Sequence, residues 1–280
     1  MDALEAAVFF GLHPAGGSEF EGRPLRWRLE VVPGLATRGR FLFGGCGLGA
    51  SITALEAVTG RPTVWATAQY LSYATLGEVV DLDIVIATDG HFTTQGRVVG
   101  RVGDREVFTV NAALGSRPFD GTGRWERPPE VPEPEDCPAR ASNWDVSGTV
   151  MERMDMRLAA GRQWEDLDGA PSPDGRSALW IRLPELASSS ATVAILGDYV
   201  PFGIAQALGR WTNANSLDNT IRVVNIVDTD WVLVDVRIHG VEHGFGHGLV
   251  HLWSQTGELM AVASQSSIVR DGEPTPRTRA

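Results

Sequence analysis

Cysteine is scarce in this chain. Cys46 and Cys137 are the only two among 280 residues, so a disulfide scaffold is excluded and a reducing compartment is expected. Positive charge is also short. There are 24 Lys and Arg against 35 Asp and Glu, a formal net charge of −11. Phosphate-backbone contact needs a basic face, so no nucleic-acid partner is expected. A phosphorylated small molecule needs only a few local cations and is not excluded. No apolar run reaches the ~18–20 residues of a membrane span. The start, Met1-Asp2-Ala3-Leu4-Glu5, is acidic and lacks the basic opening of a signal peptide. A cytoplasmic protein without membrane association is the expectation. A hydrophobic content of 43% over this length fits one large domain or two medium ones, each with its own core.

What the chain does contain is a repeat. Val80 and Val234, Asp81 and Asp235, and Ile84 and Ile238 lie 154 positions apart, as do Gly90 and Gly244, and Gly103 and Gly257. Each copy reads as three strands separated by Gly turns, and Gly marks backbone sites that bulkier residues resist. Alternation predicts strands over 24–32, 62–74, 78–88, 92–102 and 105–114 in the first half. In the second half it predicts 149–158, 177–183, 218–228, 231–240, 246–255 and 258–269. Leu48, Ile52, Leu55 and Val58 have helical spacing, and Gly60 suits a C-terminal cap. Ser188-Ser189-Ser190 can cap a second helix running to about Leu208, bent or interrupted by Pro201. Pro128, Pro129, Pro132, Pro134 and Pro138 lie among acidic residues, the composition of a linker. The expected fold class is α+β: two halves, 1–115 and 149–270, each a long helix against an antiparallel sheet. A linker spans 116–148 and a polar tail 271–280, and the halves pair sheet edge to sheet edge.

This order, with its motifs, resembles the acyl-CoA thioesterase II family, the double-hotdog thioesterases. The motifs are Phe43-Gly44-Gly45, Asp89-Gly90-His91-Phe92 and Arg97-Val98-Val99 in the first half. In the second they are Ser216-Leu217-Asp218-Asn219 and Gln265-Ser266-Ser267-Ile268-Val269-Arg270. Where the family has an aromatic residue and an Arg-Pro pair, Arg222-Val223-Val224-Asn225 stands. The resemblance runs from about residue 24 to 270. It implies a tandem double hotdog, hydrolysis of acyl-CoA to free acid and CoA, no cofactor, and association into a homodimer. The family site uses an Asp, a Thr or Ser, and a Gln. Carried onto this chain, it implies Asp218 and Gln265, with His239 at the hydroxyl position counted from Trp231.

Those residue types suit the chemistry. A carboxylate can take a proton from water, an amide can orient that water, and an imidazole can bridge them or act as base. Asp218 also suits a turn carboxylate bonded to nearby backbone, and Gln265 the exposed face of a last strand. Gly44 and Gly45 bring backbone N–H groups to a thioester carbonyl or a phosphate, or simply let the helix approach closely. Tyr70 is a candidate wall of an acyl tunnel. Arg97, Arg101 and Arg105 could meet CoA phosphates or lie on a solvated strand edge. His239, His243, His247 and His251 recur every four residues, but the interleaved Gly residues rule out a helical metal stripe. No metal site is expected. A catalytically silent acyl-CoA binding protein is the alternative to a hydrolase. A hotdog hydratase is disfavoured, because no Asp–His pair five residues apart stands near Asp198 or Asp218.

Overall fold

The computed structural model describes residues 3–142 and 145–272. The part of the expected polar tail from 273 onward lies outside the described residues. Helix α1 (Ala3–Phe10) precedes strand β1 (Arg26–Glu30), helix α2 (Gly44–Thr59) and strands β2 (Thr63–Tyr70), β3 (Val79–Asp89), β4 (Thr93–Val102) and β5 (Arg105–Gly115). The second half carries β6 (Asp155–Ala160), β7 (Arg176–Arg182), helices α3 (Ser190–Leu196) and α4 (Val200–Leu208), and strands β8 (Thr212–Ser216) and β9 (Asp218–Val223). It ends with β10 (Val232–Glu242), β11 (Phe245–Ser254) and β12 (Leu259–Asp271).

The strands join in one antiparallel sheet, in the order β1-β3-β4-β5-β2-β9-β12-β11-β10-β7-β6, with β8 also on β12. The seam between halves is β2 against β9, where Thr67 lies opposite Thr220 and their hydroxyls approach to 2.7 Å. Each half wraps its sheet around helix, so the fold is a tandem double hotdog. The repeat is confirmed in topology, with a different register. Ile86 pairs with Gly96 just before a bulge in β3, and Ile238 pairs with Gly248 just before a bulge in β10. These matched sites are 152 positions apart, whereas the Gly103 and Gly257 turns, both with positive φ, keep the 154 spacing. The turn after β4 spans 103–104 and the turn after β11 spans 255–258, which accounts for the difference.

The helices differ between halves. α2 is unbroken and ends at Gly60, whose φ of 66° is the left-handed cap glycine favours. The second helix is two pieces. Pro201 has no N–H and would clash with the carbonyl four residues back, but it is tolerated in the first turn of a helix. The chain therefore leaves α3 at Gly197 and restarts as α4 with Pro201 in its first turn. Ser189 caps α3 by accepting from the Thr192 N–H. Ser190–Leu208 has the length and composition of a membrane span, yet its most apolar window is 83% buried, which is what a wrapped core helix shows.

The Pro-rich segment is not a free tether. Pro134 and Cys137 are buried, Trp180 donates its indole N–H to the Pro132 carbonyl at 2.9 Å, and Cys137 packs with Trp180, Trp231 and Trp253. The segment thus covers the outer face of the second half's sheet. Residues 150–153, expected in a strand, form a 3-10 turn instead, and β6 begins at Asp155.

α2 and α3 cross with almost no gap. A methyl group on Gly45 would lie 2.8 Å from the Ile195 Cα, a backbone atom that side-chain rotation cannot move. Gly45→Ala should therefore cost about 1–3 kcal/mol despite the better helix propensity of Ala. Urea unfolding measures this, and unchanged or increased stability would contradict the packing.

Candidate active site

The helix break places Asp198 between α3 and α4, facing inward and only 6% exposed. Its Oδ2 accepts the Gly45 N–H at 2.6 Å, from the first turn of α2 in the other half. Its Oδ1 accepts the Ser216 hydroxyl at 3.3 Å and the Gln265 side-chain amide. Gln265, 3% exposed, also donates to Ser216 Oγ at 3.0 Å, and its Oε1 accepts the Val200 N–H at 3.1 Å. The amide is thereby fixed in orientation by the backbone that opens α4.

Among the described residues no cation pairs with Asp198. Burial is the largest influence on it and pushes its pKa up to about 6, against the opposing pull of Gln265, Gly45 and Ser216. A carboxyl so poised can hold or release a proton near neutral pH. Tyr70 lies across the entry of α2; a methyl group on Gly44 would meet the Tyr70 hydroxyl at 2.9 Å and Asp198 Oδ2 at 2.8 Å. Burial first, then Asp198 and Asp218, hold the Tyr70 phenol protonated well above its usual range. Its hydroxyl is buried beside the buried side-chain amide of Asn219, and among the described residues neither group makes a well-formed hydrogen bond. Gly44, Tyr70, Asp198 and Ser216 all line one groove of about 1100 Å³.

The family described as acyl-CoA thioesterase C-terminal domain matches residues 128–269. A solved structure of a thioesterase assigned in Novosphingobium aromaticivorans is 31% identical, with a TM-score of 0.79 over 88% of this chain and 96% of that one. The chain belongs to the acyl-CoA thioesterase II family. A hot dog fold protein of unknown function from Alicyclobacillus acidocaldarius is 20% identical, with a TM-score of 0.79 over 91% of this chain and 96% of that one. The acyl-CoA thioesterase II TesB2 of Mycobacterium marinum is 19% identical, with a TM-score of 0.69 over 90% and 95%. No match is found among curated proteins. As a member of this family the chain is a thioester hydrolase acting on acyl-CoA.

For the thioesterase, the structure gathers Gln265, Gly44, Gly45 and Tyr70 of the residues expected from sequence. It leaves His239 apart from them, and Asp218, though near enough to Tyr70 to act on its phenol, is not bonded to the Asp198 cluster. The Asp218 carboxylate accepts the Ser266 N–H of β12 at 2.8 Å. His239 is exposed at the β10 bulge. β11 lies between β10 and β12, which puts it roughly 10 Å from Gln265. Of the other histidines, His247 meets Ser266 Oγ at 3.2 Å and His251 stacks on Trp253. Arg101 is paired with Asp83 and Glu106, and Arg105 with Glu78. Cys46 is fully buried, with its thiol pushed up by burial and then by Asp198. Sequence reasoning missed Asp198 and the role of Ser216. The available signal was a lone carboxylate, three residues before a proline, in an otherwise apolar helical run.

The raised pKa has a stability consequence. The Asp198 carboxyl binds its proton more tightly folded than unfolded. Its contribution is fully present below the ordinary value of 3.8 and is lost as pH rises through about 6, at a cost of about 3 kcal/mol. Between pH 4 and 7 the wild type should therefore lose stability that Asp198→Asn retains. Urea denaturation of both across that range tests this, and parallel curves would contradict it.

Proposed function

We propose that the thioester is cleaved by a water molecule that Asp198 activates as general base and that Ser216 and Gln265 orient. The observation that carries this reading is the buried Asp198 carboxylate bonded to Ser216, Gln265 and Gly45. Water loses a proton to Asp198 as it attacks the carbonyl carbon. The negative charge that grows on the carbonyl oxygen needs donors placed in advance. The Tyr70 hydroxyl, which makes no well-formed hydrogen bond among the described residues, and the N–H of Gly44 at the start of α2 are suited to it, with the partial positive charge of the helix N-terminus behind them. Collapse of the tetrahedral intermediate breaks the C–S bond. The thiolate departs and is protonated, with the proton held by Asp198 as its source. No covalent enzyme intermediate is needed.

An arrangement of Asp218, His239 and Gln265 uses the same residue types. The geometry supports it less, because His239 is exposed and Asp218 is engaged with Ser266. Ser216 supplies the hydroxyl that His239 lacks, which removes the motive for a silent binding protein. The reading extends to units at 1–115 and 149–270, drawn from the pattern along the chain, to a cytoplasmic location, drawn from the scarce cysteine and the acidic start, and to a homodimer in fatty acid metabolism, carried by the resemblance.

Thiol release from a panel of acyl-CoAs tests the assignment. Asp198→Asn should lower kcat by about 10²–10⁴-fold, and Gln265→Ala by a comparable factor. Tyr70→Phe should lower kcat by about 10²-fold with little change in KM. His239→Ala should stay within about threefold of wild type, as surface changes away from a site do. Wild-type rates in Asp198→Asn, or a loss in His239→Ala equal to it, would overturn the assignment.

A further inference from the structure

Arg140 lines the same groove as Asp198, on the segment that joins the two halves. Its side chain is half-buried, its Nε is fully enclosed, and among the described residues it makes no ion pair. Nη1 reaches only the Met156 sulfur, at 3.5 Å, and Nε is buried with no hydrogen-bond partner. The group lies over the Phe202 ring at 4.7 Å and the Trp164 ring at 5.2 Å. Trp164 is itself stacked on Trp211 at 4.6 Å. Beside it the Tyr199 hydroxyl sits within 3.2–3.4 Å of the sulfurs of Met151, Met154 and Met156. Asp198 and Asp271 line the same groove, but among the described residues neither is bonded to Arg140, whose ionisation is set by burial and then by Tyr199.

Arginine does not give up its proton inside proteins. A buried, unpaired charge is costly, and rings and thioethers compensate it only in part. The planar fork of N–H donors matches a carboxylate or phosphate, and here those donors are open. The other cations at the groove differ: Arg38, also in its lining, is engaged elsewhere, and Arg105, beside Ser72 and Tyr73, already spends its donors on Glu78 and the Tyr73 carbonyl.

We propose that Arg140 binds an anionic oxyacid group carried by the substrate, with the far carboxylate of a dicarboxylic acyl chain as the source the enclosure favours over a CoA phosphate. Aromatic rings and flexible methionines surround the guanidinium, a lining that suits methylene groups leading to a charged end. A CoA phosphate presents the same oxygens but sits on a large polar carrier that favours the open side. The proposal rests on the hydrolase reading for the position of the scissile bond.

The test compares wild type with Arg140→Met on four thioesters: hexanoyl-CoA, adipyl-CoA, and the phosphate-free hexanoyl- and adipyl-pantetheine. The expected result is a fall in kcat/KM of about 10–100-fold for both adipyl thioesters, with both hexanoyl thioesters nearly unchanged. A fall for both CoA thioesters and neither pantetheine thioester would support the anion site with phosphate as its source. No change, or an equal change for all four, would overturn the proposal. If wild type turns over none of the four, the hydrolase reading fails; calorimetric affinities for the same ligands then make the same comparison. Arg140→Gln repeats it should the Met variant not fold, and failure of both to fold would make Arg140 structural and overturn the site.

Discussion

A carboxylate deprived of solvent and of any cation needs donors held rigidly around it, and much of this molecule serves that need at Asp198. The donors come from three places in the fold. The start of α2 supplies the Gly45 N–H, the end of β8 supplies Ser216, and the middle of β12 supplies Gln265. Gln265 is in turn held by the first N–H of α4. Moving either helix by an ångström would leave an acidic group unsatisfied in the core. The close crossing of α2 and α3, which leaves no room for a side chain at Gly45, follows from the same requirement.

Duplication explains how one chain reaches this arrangement, and asymmetry explains why it has a single such site. The first half provides a helix entrance and Tyr70; the second provides the acid, the hydroxyl and the amide. At the position in β5 that pairs with Gly96, where β12 has Gln265 opposite Gly248, the first half has buried Ala112. Its helix α2 is continuous, so no residue there occupies a break as Asp198 does. The first half has the fold without the polar set. The seam between β2 and β9 makes the two halves one sheet and thereby fixes Tyr70 and Gly45 against residues more than a hundred positions away.

Much of this was legible beforehand. Glycine turns and strict alternation marked β3, β4, β5 and their counterparts, because turn chemistry and a half-buried face impose those patterns directly. Helix α2 was legible from its spacing and its cap. The site was harder to read. Asp198 is hidden because Pro201 allows either a bend or an interruption of the helix, the pattern does not choose between them, and only the break turns that carboxylate inward. Ser216 and Gln265 stood in recognisable motifs, but the acid in the first of those motifs, Asp218, is spent on the Ser266 backbone. His239 was reached by counting without gaps, and the bulge beside it is a feature that counting cannot register. The Pro-rich segment misled in another way: composition reports stiffness, and its packing on Trp180 and Trp253 depends on the sheet it meets.

The central claim is that Asp198 is a carboxyl whose proton affinity has been raised by burial to suit base catalysis near neutral pH. The most direct measurement is a carbon NMR titration of protein labelled at the aspartate carboxyl carbons, with the Asp198 signal assigned by its loss in Asp198→Asn. The account predicts a midpoint of about 6 for that signal. A midpoint at the ordinary value of 3.8 would contradict it.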